Sequence, residues 1–209
     1  MAERNGVWKW IEQRSAKAFL IGGLLMAVDA VLVTANIATG TEQLLLLGQA
    51  FVGVAWTAAL LGLLGVYPRL ADRSRWLSRA GAVFAVIGVI VFATMSVTVL
   101  VYYAGIPVGE YSDVGQFFIP GVLIGSVLAF TTFSAASLRT DVHSGTFGIL
   151  LLVPAVLVVA NILRFIVGLE SATITLGIVI GDAVVMLAIG YLLLNGGVRK
   201  EHALDGMKA

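Results

Sequence analysis

The chain has 209 residues, of which 59% are hydrophobic and 12% charged, with a formal net charge of +1. A soluble domain carries about 25% charged residues, so the composition excludes a soluble globule and a disordered or collagenous chain alike. The absence of cysteine excludes disulfides, cysteine-ligated metals, iron–sulfur clusters and thiol nucleophiles.

Residues 1–17 read as a cytoplasmic amphipathic segment. Val7, Trp8, Ile11 and Ser15 share one helical face while Lys9, Glu12 and Arg14 lie elsewhere, which suits a short helix in the membrane interface. The apolar run that follows outlasts a signal-peptide core and carries Asp29, so it is read as an uncleaved first helix. A bilayer's hydrocarbon core is about 30 Å thick and takes about 20 apolar residues to cross. Six runs qualify, near 18–39, 44–66, 80–104, 116–138, 146–168 and 172–195. They are long and continuous rather than short and alternating, which predicts helices and not barrel strands. The expected fold is all-α: a polytopic integral membrane protein with a six-helix transmembrane domain over 18–198 and a cytoplasmic tail over 199–209.

The punctuation agrees with this division. Pro68 is expected to stop helix 2, turn residues crowd 105–115, and Pro120 sits in the opening turn of helix 4. Pro154, well inside helix 5, predicts a kink. Gly121 and Gly125 in helix 4, and Gly177 and Gly181 in helix 6, repeat a small-residue spacing that lets helices approach closely.

Of the 13 basic residues, all but Arg164 fall on one side of this topology. They lie before helix 1, in the 2–3 loop (Arg69, Arg73, Arg75, Arg79), in the 4–5 loop (Arg139) and in the tail. The opposite loops carry only Glu42, Glu110, Asp113 and Glu170. The positive-inside rule then puts both the N- and C-termini in the cytoplasm. The Arg-rich, Ala/Val/Gly-heavy usage points to the plasma membrane of a prokaryote. Trp8, Trp10, Tyr67 and Trp76 near the inner side, and Tyr102, Tyr103, Tyr111, Phe117 and Phe118 near the outer, read as interfacial anchors.

Three ionisable residues remain inside the spans: Asp29, Arg164 and Asp182. A charge at bilayer depth costs several kcal/mol and is a functional candidate by default. Counting helix rise from the outer ends places both acids about 15 Å deep and Arg164 about 6 Å deep. Side chains lean toward a helix's N-terminus, so Arg164 leans inward and Asp182 outward, which brings an ion pair within reach. Snorkelling of Arg164 to the outer interface, toward Glu170, is the competing geometry. Asn36 lies two turns beyond Asp29 and Asn161 one turn before Arg164, adding polar lining on the same faces. A midplane carboxyl that gains and loses a proton is the physical basis of proton coupling.

Absences narrow the chemistry further. His143 and His202 fall in a loop and the tail, no lysine lies within a span, and no phosphate-binding Gly-Lys loop occurs. No enzyme activity, cofactor, metal site or nucleic-acid partner is expected. The sequence instead suggests a small transporter or permeation protein. In it Asp29 and Asp182 bind the ion, proton or substrate, Arg164 sets their charge state, and Asn36 and Asn161 line the route. The alternative is a non-transporting structural or scaffold subunit of a membrane complex whose polar trio only locks helices together. Expected partners are the lipid bilayer and anionic lipid at the basic loops, with a homo-oligomer or a membrane partner left open.

Overall fold

A computed structural model of the chain describes residues 6–106, 118–140, 142, 144–169 and 171–205. Every regular element among them is helical: α1 (Gly6–Thr39), α2 (Glu42–Ala71), α3 (Arg75–Tyr103), α4 (Phe118–Thr140), α5 (Gly145–Ile166) and α6 (Ala172–Asp205). Each contains a stretch long and apolar enough to cross a membrane.

The helices end for local reasons. Gly40, Gly105 and Gly168, just past α1, α3 and α5, have φ of 68°, 79° and 71°, the left-handed stop that glycine adopts without a Cβ penalty. Ser144 caps α5 by accepting from the Phe147 amide at 3.3 Å. Two features differ from the sequence expectations. Helix α2 runs through Pro68 to Ala71; the last turn is held by tertiary packing, because Leu70 is fully buried and Arg69 pairs with Glu12 at 2.8 Å. Helix α1 is continuous from Gly6, so the amphipathic stretch and the first span share one rod, pinned to α2 by a Ser15 hydroxyl donating to the Gly62 carbonyl at 2.7 Å. Pro154 lies buried inside α5, which continues on both sides of it.

Packing follows chain order. Each helix lies against the next, α6 returns to α1, and α2 reaches α4 across the middle. An aromatic cluster fills that middle: Trp56 of α2 stacks on Phe92 of α3 at 5.5 Å and meets Phe130 of α4 edge-on at 5.7 Å. Phe130 in turn meets Phe19 of α1 at 6.4 Å. Such pairs add to the area they bury by up to about 1.5 kcal/mol each.

Helix α4 is not uniform. Leu123–Leu128 forms a π-helical turn, a wider winding that carries an extra residue. At its centre Gly125 lies directly against the Gly88 backbone of α3, where any Cβ would collide. The outer faces are apolar too: Ile21, Leu24, Val28 and Val31 form an exposed stripe on α1, as do Val83, Val86, Ile90 and Val97 on α3. Stripes of this kind, opposite a buried stripe, suit contact with lipid tails. The chain is a multi-pass membrane protein.

Candidate functional site

Asp29 belongs to the buried stripe of α1 that also holds Met26 and Val33, and it is only 4% exposed. It is shielded because its neighbour on α2 is Gly48: a Cβ there would overlap Asp29 Oδ1. The carboxyl therefore sits in a notch on the α1–α2 seam.

Asp182 occupies the corresponding stripe of α6, between Val179 and Met186, and is also 4% exposed. Its Oδ1 is buried without a hydrogen-bond partner. Around α6, Gly190 faces Leu20 of α1 and Gly181 faces Leu157 of α5. At about 100° per residue, Asp182 lies between those two directions and aims into the bundle. The contacts Gly23–Leu187 and Gly190–Leu20 also fix the antiparallel register of α1 and α6. Extended by six residues, that register sets Asp29 and Asp182 at one depth.

Arg164, 8% exposed, turns toward the α5–α6 connection. Its Nη1 donates to Thr175 Oγ1 at 2.6 Å and to the Ser171 carbonyl at 3.3 Å. The guanidinium lies 4.5 Å from the Phe165 ring centroid, a cation–π distance. Its Nε is buried and without a hydrogen-bond partner.

The five residues singled out from sequence thus do not form one cluster. Asp29 faces α2, Asp182 faces the middle, and no ion pair joins Arg164 to either acid among the described residues. The Asn36 amide donates to the Thr41 carbonyl at 2.9 Å, clasping the α1–α2 turn beside Gly40. Asn161 is half-buried, one turn deeper than Arg164 on α5. Glu170, the other partner expected for Arg164, lies outside the described residues.

Two residues escaped the sequence reading. Thr175 stands seven positions before Asp182, two turns along the same stripe, so the spacing could have revealed it. Gly48 carried no signal, since its importance lies in the side chain opposite it. Among the described residues, no group of three or more acidic or histidine side chains gathers for a metal ion.

Comparison with known proteins is sparse. No family model matches the chain, and no solved structure matches it. The chain is similar to the daunorubicin resistance ABC transporter permease protein DrrB1 of Streptomyces coeruleorubidus. The two are 33% identical over 73 residues, which is 32% of this chain and 25% of that protein. The chain therefore spans about a quarter of that relative's length.

Proposed function

We propose that the protein is a small membrane transporter or permeation protein in which Asp182 and Asp29 bind a proton or small cation at mid-depth. Arg164 sets the charge balance of the site, and Asn161 lines the seam between Arg164 and Asp182. The observation that carries this reading is Asp182, a buried acid whose Oδ1 has no hydrogen-bond partner. A buried acceptor left unpaired costs about 1–3 kcal/mol, more if charged. A group kept only to lock helices would be paired. Helix locking does describe Asn36 and the Thr175 bond of Arg164, but it leaves Asp182 unexplained. Similarity to an ABC transporter permease protein supports transport over catalysis and supports work with a partner. The same likeness, with the bacterial source of that relative, supports a plasma-membrane location. The one-sided distribution of basic residues supports cytoplasmic termini, and a basic inner face bearing the exposed Trp76 (84%) supports contact with anionic lipid.

The test is flux in liposomes reconstituted with the intact chain and with Asp182→Asn and Asp29→Asn. Loss of at least tenfold in proton or cation flux with Asp182→Asn is the expected result, Asp29→Asn having the smaller effect. Unchanged flux in both variants would remove the acids from the mechanism.

A further inference from the structure

Helix α6 runs unbroken from Ala172 to Asp205, so the backbone carbonyls around Asp182 are engaged in its own ladder. The acid stands between Val179 and Met186 on the buried stripe, with Ala183 buried beside it. Helices α1 and α5, the two that pack most closely on α6, meet it with hydrocarbon. Leu157 of α5 lies on Gly181, Leu20 of α1 on Gly190, and Met186 reaches back to Gly22 of α1. Within this seat the Asp182 Oδ1 is buried and has no hydrogen-bond partner. Among the described residues, no charge faces it from the packed helices. Asp29 of α1 is turned to α2. Arg164 of α5 is held by Thr175 and the Ser171 carbonyl; by the Gly181–Leu157 contact it lies about eight residues, or about 12 Å, further out. Tyr191 of α6 itself is exposed. Across the middle, α2 from Gln43 to Pro68 and α4 from Phe118 to Leu138 carry no charged residue.

We infer that the ligand of Asp182 is the proton itself, and not a sodium, potassium or calcium ion. The inference deepens the proposed transport reading, on which it rests for the idea that the ligand is carried across. A metal cation at mid-depth has to exchange its water for protein oxygens, about six to eight of them for calcium and rings of backbone carbonyls for potassium. Membrane transporters that hold sodium supply such carbonyls from unwound helix segments. Here both acid-bearing helices are continuous through the acid. The wide turn of α4 packs on α3 and α5 rather than on α6. In α5, Pro154 frees the Leu150 carbonyl from its usual bond, but that oxygen lies about 9 Å nearer the start of α5 than the level of Asp182. A proton needs no such shell. It forms an O–H bond with the carboxylate and adds next to no volume. It leaves a neutral acid, whose burial costs far less than that of an ion. Loading joins a proton to the carboxylate, unloading returns it to water, and no electron changes hands.

The experiment follows the Asp182 carboxyl carbon by 13C solid-state NMR as pH is varied, with the intact chain in vesicles of zwitterionic lipid. Gly181–Asp182 is the one Gly–Asp step in the sequence, so 13C-carbonyl glycine paired with 15N,13C-aspartate assigns the signal without any substitution. The expected result is a single protonation step whose midpoint is the same in choline, sodium, potassium or calcium chloride at equal ionic strength. A midpoint that falls as sodium, potassium or calcium is raised tenfold shows competition for the carboxylate and overturns the inference. A carboxyl that does not titrate overturns it too. If the step ignores the metal cations but proton flux is unchanged in Asp182→Asn, the transport reading fails and the proton site stands. If flux is lost in Asp182→Asn and the midpoint moves with sodium, transport stands and its ligand is the cation.

Discussion

A methyl group at Gly48 would occupy the space held by Asp29 Oδ1. Gly48→Ala should therefore lower stability by about 1–3 kcal/mol, the usual cost of overfilling a packed site, read as a fall in thermal midpoint in detergent. Combining it with Asp29→Ala should cost less than the sum of the two single changes, because residues in contact do not add. The individual residues show where sequence reading succeeds and where it stops. Asp29, Arg164 and Asp182 announced themselves, since charge in an apolar run is conspicuous. Their partners did not, because a hydrogen bond depends on rotamers that spacing leaves free. Arg164 had two outlets, inward to Asp182 across a depth gap of about 9 Å or outward to Glu170, and the neutral hydroxyl of Thr175, which it takes instead, offers a bond without requiring either carboxylate to be charged.

At the scale of the element, the two glycine pairs of like spacing turn out to be different objects. Gly125 touches the Gly88 backbone, whereas Gly177 has open space around it. Gly125→Ala should destabilise by about 1–3 kcal/mol. Gly177→Ala should be neutral or stabilising by up to about 1 kcal/mol, the helix-propensity gain. Midpoints of unfolding in a mild detergent distinguish the two outcomes. The small-residue pattern identifies faces that permit close approach, but it cannot say which ones are used. Helix boundaries were legible because charge, glycine and proline mark them. The π-helical turn was not, because nothing in Leu123–Leu128 is itself irregular; the close approach of Gly125 to Gly88 across two helices accompanies it. Pro68 was misleading for a related reason. A proline this near a helix end sacrifices little, and the buried Leu70 and the Arg69–Glu12 pair hold the final turn.

For the molecule as a whole, six apolar runs were enough to fix the class, while the neighbour relations needed coordinates. The chain-order ring places α1 beside α6, which sets side by side the two helices that carry Asp29 and Asp182, remote in sequence and already read at one depth. Topology is open to direct measurement because the chain has no cysteine of its own. Single cysteines at Ser74 and Leu169, in the α2–α3 and α5–α6 turns, should respond oppositely to a membrane-impermeant maleimide. Leu169→Cys should label in intact cells and Ser74→Cys only after permeabilisation; the reverse pattern would invert the orientation. The Arg69–Glu12 bridge is partly exposed, so Arg69→Ala should change stability by no more than about 1 kcal/mol. Its loss should be felt mainly as fraying of the first turns of α1, measurable as faster amide exchange there.

The wide turn in α4 has a consequence for how the chain tolerates changes in length. Excising a single residue there, Ile124 for example, would let the backbone rewind to ordinary pitch. Everything ahead of it, from Phe118 to Val122, would then keep nearly its present azimuth, because the wide turn takes in its extra residue over about the sweep that ordinary winding covers with one residue fewer. Gly121 would stay against Val91, which it adjoins, and the same side chains would confront α3. The surplus residue is thus absorbed where it stands. A deletion at this point would be tolerated in register, while the same deletion in an ordinary stretch of the helix would turn everything ahead of it by about 100°.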